Sequence, residues 1–132
     1  MDVSFDPEPL PIAARVVLAL DPAALSSAPG YEPLRPGVDI LRLYDARDSG
    51  ASAAILRYAK GAEVPRHTHT GYEHIYVLAG SQEDERGRYE AGAFVVNPPG
   101  TAHRVWSPEG CLVLVVWQRP VVFEATPSGV LG

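Results

Sequence analysis

The stretch Gly61–Gly80 reads Gly-Ala-Glu-Val-Pro-Arg-His-Thr-His-Thr-Gly-Tyr-Glu-His-Ile-Tyr-Val-Leu-Ala-Gly, and its chemistry lies in His67, His69 and Glu73. These three positions share one parity, so in extended backbone they project from the same face of a sheet. Two histidines one residue apart on a strand are separated by about 6.6 Å along the backbone, which lets both imidazoles reach one ion at about 2.1 Å. Thr70-Gly71 supplies a bend that closes Glu73 onto the same point. Two imidazoles and a carboxylate suit a borderline first-row divalent ion such as Fe, Mn, Co, Ni, Cu or Zn. A lone His-x-His, by contrast, is also what two solvated loop histidines look like.

A second punctuated stretch, Gly92–Ser107, supplies the missing donor. It reads Gly-Ala-Phe-Val-Val-Asn-Pro-Pro-Gly-Thr-Ala-His-Arg-Val-Trp-Ser, and its rigid corner Pro98-Pro99-Gly100 is expected to deliver His103 from a facing strand. Together the two stretches resemble the paired motifs of the cupins. Gly61-x5-His67-x-His69-x3-Glu73-x6-Gly80 is similar to the first motif at every fixed position, and Gly92-x5-Pro98-x-Gly100-x2-His103 resembles the second. The second motif normally closes with Asn three residues after its His; here Ser107 stands one place further on. The resemblance implies an all-β, small jelly-roll barrel in a single domain. It also implies one divalent transition metal ion (Fe, Zn, Mn, Ni or Co) held by His67, His69, Glu73 and His103. Catalytic residues beyond this metal site are not implied, because one fold hosts many chemistries.

Within the cupins, Arg86 to His103 followed by Trp106-Ser-Pro-Glu-Gly-Cys111 is similar to the ChrR-like group. That group joins the cupin half of zinc-dependent anti-sigma factors to single-domain relatives resembling acetylacetone-type and hydroxyacetophenone-type dioxygenases. The resemblance therefore implies two functions. One is a metal-dependent dioxygenase of a small ketone, diketone or phenolic compound. The other is a sensing module without turnover, lacking the helical zinc domain of the whole anti-sigma factor. A metal-assisted isomerase of a sugar-like substrate is a third option.

Composition narrows the partners. A formal charge of -5 and a pI near 5.3 leave no electrostatic footprint for nucleic acid or an anionic membrane. The acidic start carries no signal-peptide pattern, and the longest clean apolar run, Cys111–Trp117, is far short of the roughly 20 residues that span a bilayer. A cytoplasmic protein that binds a small molecule is expected, working as a homodimer by analogy with other cupin barrels. The single cysteine, Cys111, excludes an internal disulfide and reads as packed core.

The chain divides into an amino-terminal arm (1–13), a barrel (14–124) and a tail (125–132). Strands are expected at Ala14–Leu20, Val38–Tyr44, Ala51–Lys60, Tyr72–Ala79, Ala93–Val96, Ala102–Trp106, Gly110–Gln118 and, at an edge, Val121–Phe123. Pro22-Ala-Ala-Leu allows one helical turn at most, and the prolines and glycines between Asp21 and Gly37 mark turns. Glu73, Ile75, Val77 and Ala79 are expected to face inward, with His74, Tyr76 and Leu78 outward. The run Glu83-Asp84-Glu85 reads as a solvated hairpin tip. Tyr58, Arg57, Tyr76, Phe94, Trp106 and Trp117 are candidates for lining a pocket.

Overall fold

The computed structural model describes residues 15–46 and 48–124; the expected arm (1–13) and tail (125–132) lie outside the described residues. A short helix, α1 (Pro22–Ser26), precedes ten strands. These are β1 (Glu32–Arg35), β2 (Val38–Ala46), β3 (Ala51–Tyr58), β4 (Glu63–His69), β5 (Glu73–Asp84), β6 (Gly87–Glu90), β7 (Phe94–Asn97), β8 (Ala102–Trp106), β9 (Cys111–Trp117) and β10 (Val121–Phe123). They pair in the order β1-β2-β3-β9-β5-β8-β4-β10, with β6 and β7 also joined to β5, and every pairing is antiparallel. This curled sheet is the expected jelly roll. No helix among the described residues is long and apolar enough to cross a membrane.

β5 is the strand that joins the two halves. Its first part lies between β9 and β7, and its last part pairs with β6 and, at Glu83 opposite Trp106, with β8. A bulge at Leu78 marks the passage, since Val77 opposes Val113 while Ala79 opposes Leu112. A bulge adds one residue and so reverses which parity faces the interior. Glu73, Ile75 and Val77 therefore point inward, whereas beyond the bulge Gln82 and Asp84 do so. Ala79 is a correction to the simple alternation: it packs with the outer cluster. A second bulge, between Val64 and His67 on β4, lets both of these residues face inward and falls at Pro65, which has no N–H to give a ladder.

The interior is filled by Val38, Ile40, Leu56, Ile75, Val113 and Val115, while Leu25, Ile55, Leu78 and Leu112 form a second cluster under α1. β3 is buried on both faces, which is why its alanine-rich text forms a strand despite its helical propensity. Each fully buried Leu or Ile contributes roughly 1.5–3 kcal/mol.

Two expectations fail. Residues 15–20 form no strand and are exposed, because a β-prone sequence needs a ladder partner and none among the described residues lies beside it. Conversely, Glu32-Pro-Leu-Arg, read as turn, is β1; a proline is tolerated there because β1 is an end strand.

Gly80 sets the geometry after the bulge. Its φ is 72°, and an added Cβ would collide with the Gly110 carbonyl and lie 2.9 Å from Cys111 Cα. Gly92 also has positive φ, 96°, but an added Cβ there meets nothing within 4 Å. Gly80→Ala should therefore cost on the order of 2–4 kcal/mol, and Gly92→Ala only about 1–2 kcal/mol, in urea unfolding. Equal losses would contradict this account of the sheet junction.

Candidate metal centre

His67 and His69 end β4, Glu73 opens β5 after the Thr70-Gly71 bend, and His103 lies on β8. All four are buried, at 4%, 1%, 5% and 1% exposure respectively, although each is among the most polar side chains available. One potential ligand atom from each comes within 4.8 Å of all the others. The register of β4 on β8 sets His67 directly opposite His103, so the fourth ligand comes from the adjacent strand and not from a facing one. Gln118 pins the bend: its side-chain oxygen accepts from the Tyr72 N–H, and its own N–H donates to the Tyr72 carbonyl. The corner is tied in as well, since Gly100 N–H donates to the His69 carbonyl.

Each imidazole is fixed through its Nδ1. His67 Nδ1 lies 2.8 Å from the Pro65 carbonyl, His69 Nδ1 lies 2.9 Å from Thr101 Oγ1, and His103 Nδ1 lies 2.9 Å from Asp84 Oδ2. A carbonyl and a carboxylate can only accept. The Thr101 hydroxyl donates its own hydrogen to the Pro98 carbonyl at 2.6 Å, so it too accepts from the ring. All three protons therefore sit on Nδ1, leaving the Nε2 lone pairs free.

Glu73 is held just as firmly. Asn97 Nδ2 donates to Oε1 at 3.0 Å and Trp117 Nε1 donates to Oε2 at 2.7 Å. Asn97 and Trp117 are the residues directly opposite Glu73 on β7 and β9, so sheet register alone places both donors. Burial lowers His67 from its ordinary value, favouring the neutral ring.

This geometry passes a direct test for a cation. Glu73 Oε1 is 3.0 Å from His69 Nε2 and 3.8 Å from His103 Nε2, yet both of those buried nitrogens lack an aligned hydrogen bond. With each ring neutral and its one proton on Nδ1, lone pairs face lone pairs here, in a medium where unpaired polar atoms are costly. A divalent ion at their common centre turns that repulsion into four attractive contacts. Three imidazole nitrogens and one carboxylate fit Fe, Zn, Mn, Ni or Co.

Asp84 is the functional residue missed in sequence. It is 6% exposed, not solvated, and accepts from His103, from the Arg86 backbone N–H and from the Tyr89 hydroxyl. Burial raises its carboxyl, but these hydrogen bonds prevail and keep it ionised below the usual range. Ser107, where the second motif departs from its usual ending, is fully buried and donates to the Ser81 carbonyl at 2.6 Å, stitching the loop after β8 to β5.

A cavity of about 440 Å³ opens over the ligands and is lined by His67, Glu73 and His103 together with largely apolar walls. Of the expected lining residues, Tyr58 and Trp117 face it. The others do not. Arg57 pairs with Asp39 and lies over Tyr31, Tyr76 packs in the outer cluster, Phe94 is 60% exposed, and Trp106 bonds Glu83 beneath Arg104. His74 points outward, between the rings of Tyr72 and Phe94. Cys111 is core, its thiol pushed by burial up to about 11.

Asp84→Asn removes the charge that orients His103 while keeping its shape. Metal affinity, measured by chelator competition, should fall about 10–100-fold, whereas Glu85→Gln on the exposed side of the same hairpin should leave it unchanged. Unchanged affinity in Asp84→Asn would contradict this assignment.

The ChrR cupin-like domain model matches residues 23–122. No curated protein sequence matches the chain. Among solved structures, an acetylacetone dioxygenase from Acinetobacter johnsonii superposes with a TM-score of 0.74 over 99% of this chain and 89% of that one, at 17% identity. A putative acetylacetone dioxygenase from Methylibium petroleiphilum PM1 gives 0.70 over 98% and 88%, at 14% identity. At these identities the likeness is one of fold. The Rhodobacter sphaeroides complex of SigE with the anti-sigma ChrR gives 0.59 at 28% identity, over 66% of this chain and 47% of that one. With the family model running through nearly all of the described barrel, the chain belongs to the ChrR cupin-like family.

Proposed function

We propose that this protein is a metal-dependent dioxygenase of a small ketone, diketone or phenolic compound. The observation that carries the reading is a three-histidine, one-glutamate ligand set at the base of an apolar cavity of about 440 Å³. Ligands from the protein alone leave two positions of a six-coordinate ion for substrate or oxygen, and these would face the cavity. The dioxygenases among the structural neighbours share the fold and so support the reading.

Bound there, a redox-active divalent ion such as Fe(II) supplies Lewis acidity and an electron path between substrate and oxygen. The chain's own residues do the rest. Ile40, Leu56, Val64 and Val115 exclude water from the space above the ligands. Both Glu73 oxygens are engaged by Asn97 and Trp117, so this carboxylate is not a free base. Burial holds the Tyr58 phenol far above its ordinary value, so it stays protonated and serves the cavity as a hydrogen-bonding group. A substrate acidic enough to enter as its enolate or phenolate suits such a site best. Dioxygenation places one oxygen atom on each carbon of the bond that breaks, so the reaction draws on no outside reductant.

A second reading, a sensing module without turnover, is favoured by the likeness to the anti-sigma ChrR chain. Oxygen uptake separates the two. The Fe(II)-loaded protein should consume oxygen in step with acetylacetone or 2'-hydroxyacetophenone, and the zinc-loaded protein should not. His103→Ala should lose its metal and at least about a hundredfold in rate while circular dichroism stays that of the wild type. No uptake above an iron-only control with these compounds or with any other ketone or phenol the protein binds, from protein carrying a full complement of iron, would overturn the dioxygenase reading and leave the sensor.

A further inference from the structure

Several arginines on the outside of the barrel are paired: Arg57 with Asp39, Arg66 with Glu124, Arg88 with Glu83, Glu90 and Glu109, Arg104 with Glu63. Arg35 is different. It ends β1, is half-buried and lines the cavity over the metal ligands. Its Nε is buried without a hydrogen-bond partner, and no carboxylate among the described residues pairs with it. The guanidinium carbon lies 4.6 Å from the centre of the Phe123 ring, and that ring lies 5.4 Å from the His67 ring. Laid end to end, these two contacts bring the cation within a small molecule's length of the ligand set.

The contact also has a place in the topology. β1 and β10, which carry Arg35 and Phe123, are the two ends of the strand order, so the pair spans the gap where the curled sheet does not close. Stacking on Phe123 holds the guanidinium plane while leaving its N–H groups available to the cavity. A fixed cation with a desolvated, unsatisfied N–H against the largely apolar walls of this cavity is costly unless something negative meets it. Arg42 and Asp45 also line this space, but both are exposed and mark its rim.

We propose that Arg35 is the anion-binding residue of the substrate site, and that the substrate is an oxo- or hydroxycarboxylic acid with an apolar middle. Its carboxylate meets the Arg35 guanidinium, its other oxygen reaches the metal-ligand set, and its body lies among Leu56, Val115 and Phe123. This rests on reading the cavity as a substrate site, and it narrows that reading from neutral ketones to acids. A planar fork matches a carboxylate in two parallel hydrogen bonds, which a neutral ester cannot accept with comparable strength.

The test uses the full chain loaded with redox-inert Zn(II), so that binding is read apart from turnover. Titration calorimetry compares 4-oxopentanoate, 5-oxohexanoate and 4-acetylbenzoate, in each of which an apolar spacer separates the carboxylate from the ketone, with their methyl esters. At least one acid should bind about tenfold or more tightly than its ester. Arg35→Gln should abolish that preference with metal content and melting temperature unchanged, and Arg35→Lys should retain part of it. A purely structural strut to Phe123 would lower the melting temperature of Arg35→Gln without altering the acid-to-ester ratio. No preference for acid over ester in the wild type across all three pairs, or a preference that survives in Arg35→Gln, would overturn the proposal. Should Arg35→Gln not fold, the wild-type ratio and its reduction in Arg35→Lys decide. Failure here with oxygen uptake intact on acetylacetone removes the anion site alone; acid preference without any oxygen uptake removes the dioxygenase reading alone.

Discussion

The hydrogen bonds that fix three imidazole protons on Nδ1 are the constraint on which the centre depends. Each of the three acceptors has a different structural origin. Pro65 belongs to the bulge in β4, Thr101 to the corner before β8, and Asp84 to the end of β5. With those protons committed, three Nε2 lone pairs and the Glu73 carboxylate must meet at one point inside the barrel. Local chain features thus converge on a single charge requirement.

β5 contributes at both of its ends. Glu73 starts it as a ligand and Asp84 finishes it as the support of another ligand, and only the bulge at Leu78 allows both to face inward. The polar centre is compatible with the surrounding apolar interior because its carboxylates are satisfied. Glu73 accepts from two side chains and Asp84 from three groups, so neither is an unpaired buried charge. What is left unsatisfied, the Nε2 of His69 and of His103, points where an ion belongs.

The ligand set was legible in the sequence because it depends on short-range facts: one-residue spacing on a strand, a bend before Glu73, and a proline-glycine corner before His103. Asp84 was not, because nothing in Glu83-Asp84-Glu85 announces that the strand has changed parity five residues earlier while passing between sheet halves. The same limit explains Ala79. Arg35 was hidden in a proline-rich stretch whose turn signals were read correctly around a strand they conceal. Residues 15–20 show the opposite error, since their apolar, branched text is compatible with a strand but joins no edge among the described residues. Asn97 and Trp117 occupy a middle ground: their types invite a polar role, but only the register on either side of Glu73 reveals it.

The convergence of these four side chains on one cation is tested most directly by X-ray absorption spectroscopy on metal-loaded protein of known stoichiometry. The account requires one ion per chain, with multiple-scattering features of three imidazoles and light-atom ligands near about 2.1 Å. A metal with one imidazole or none, or a protein that takes up no ion, would contradict it.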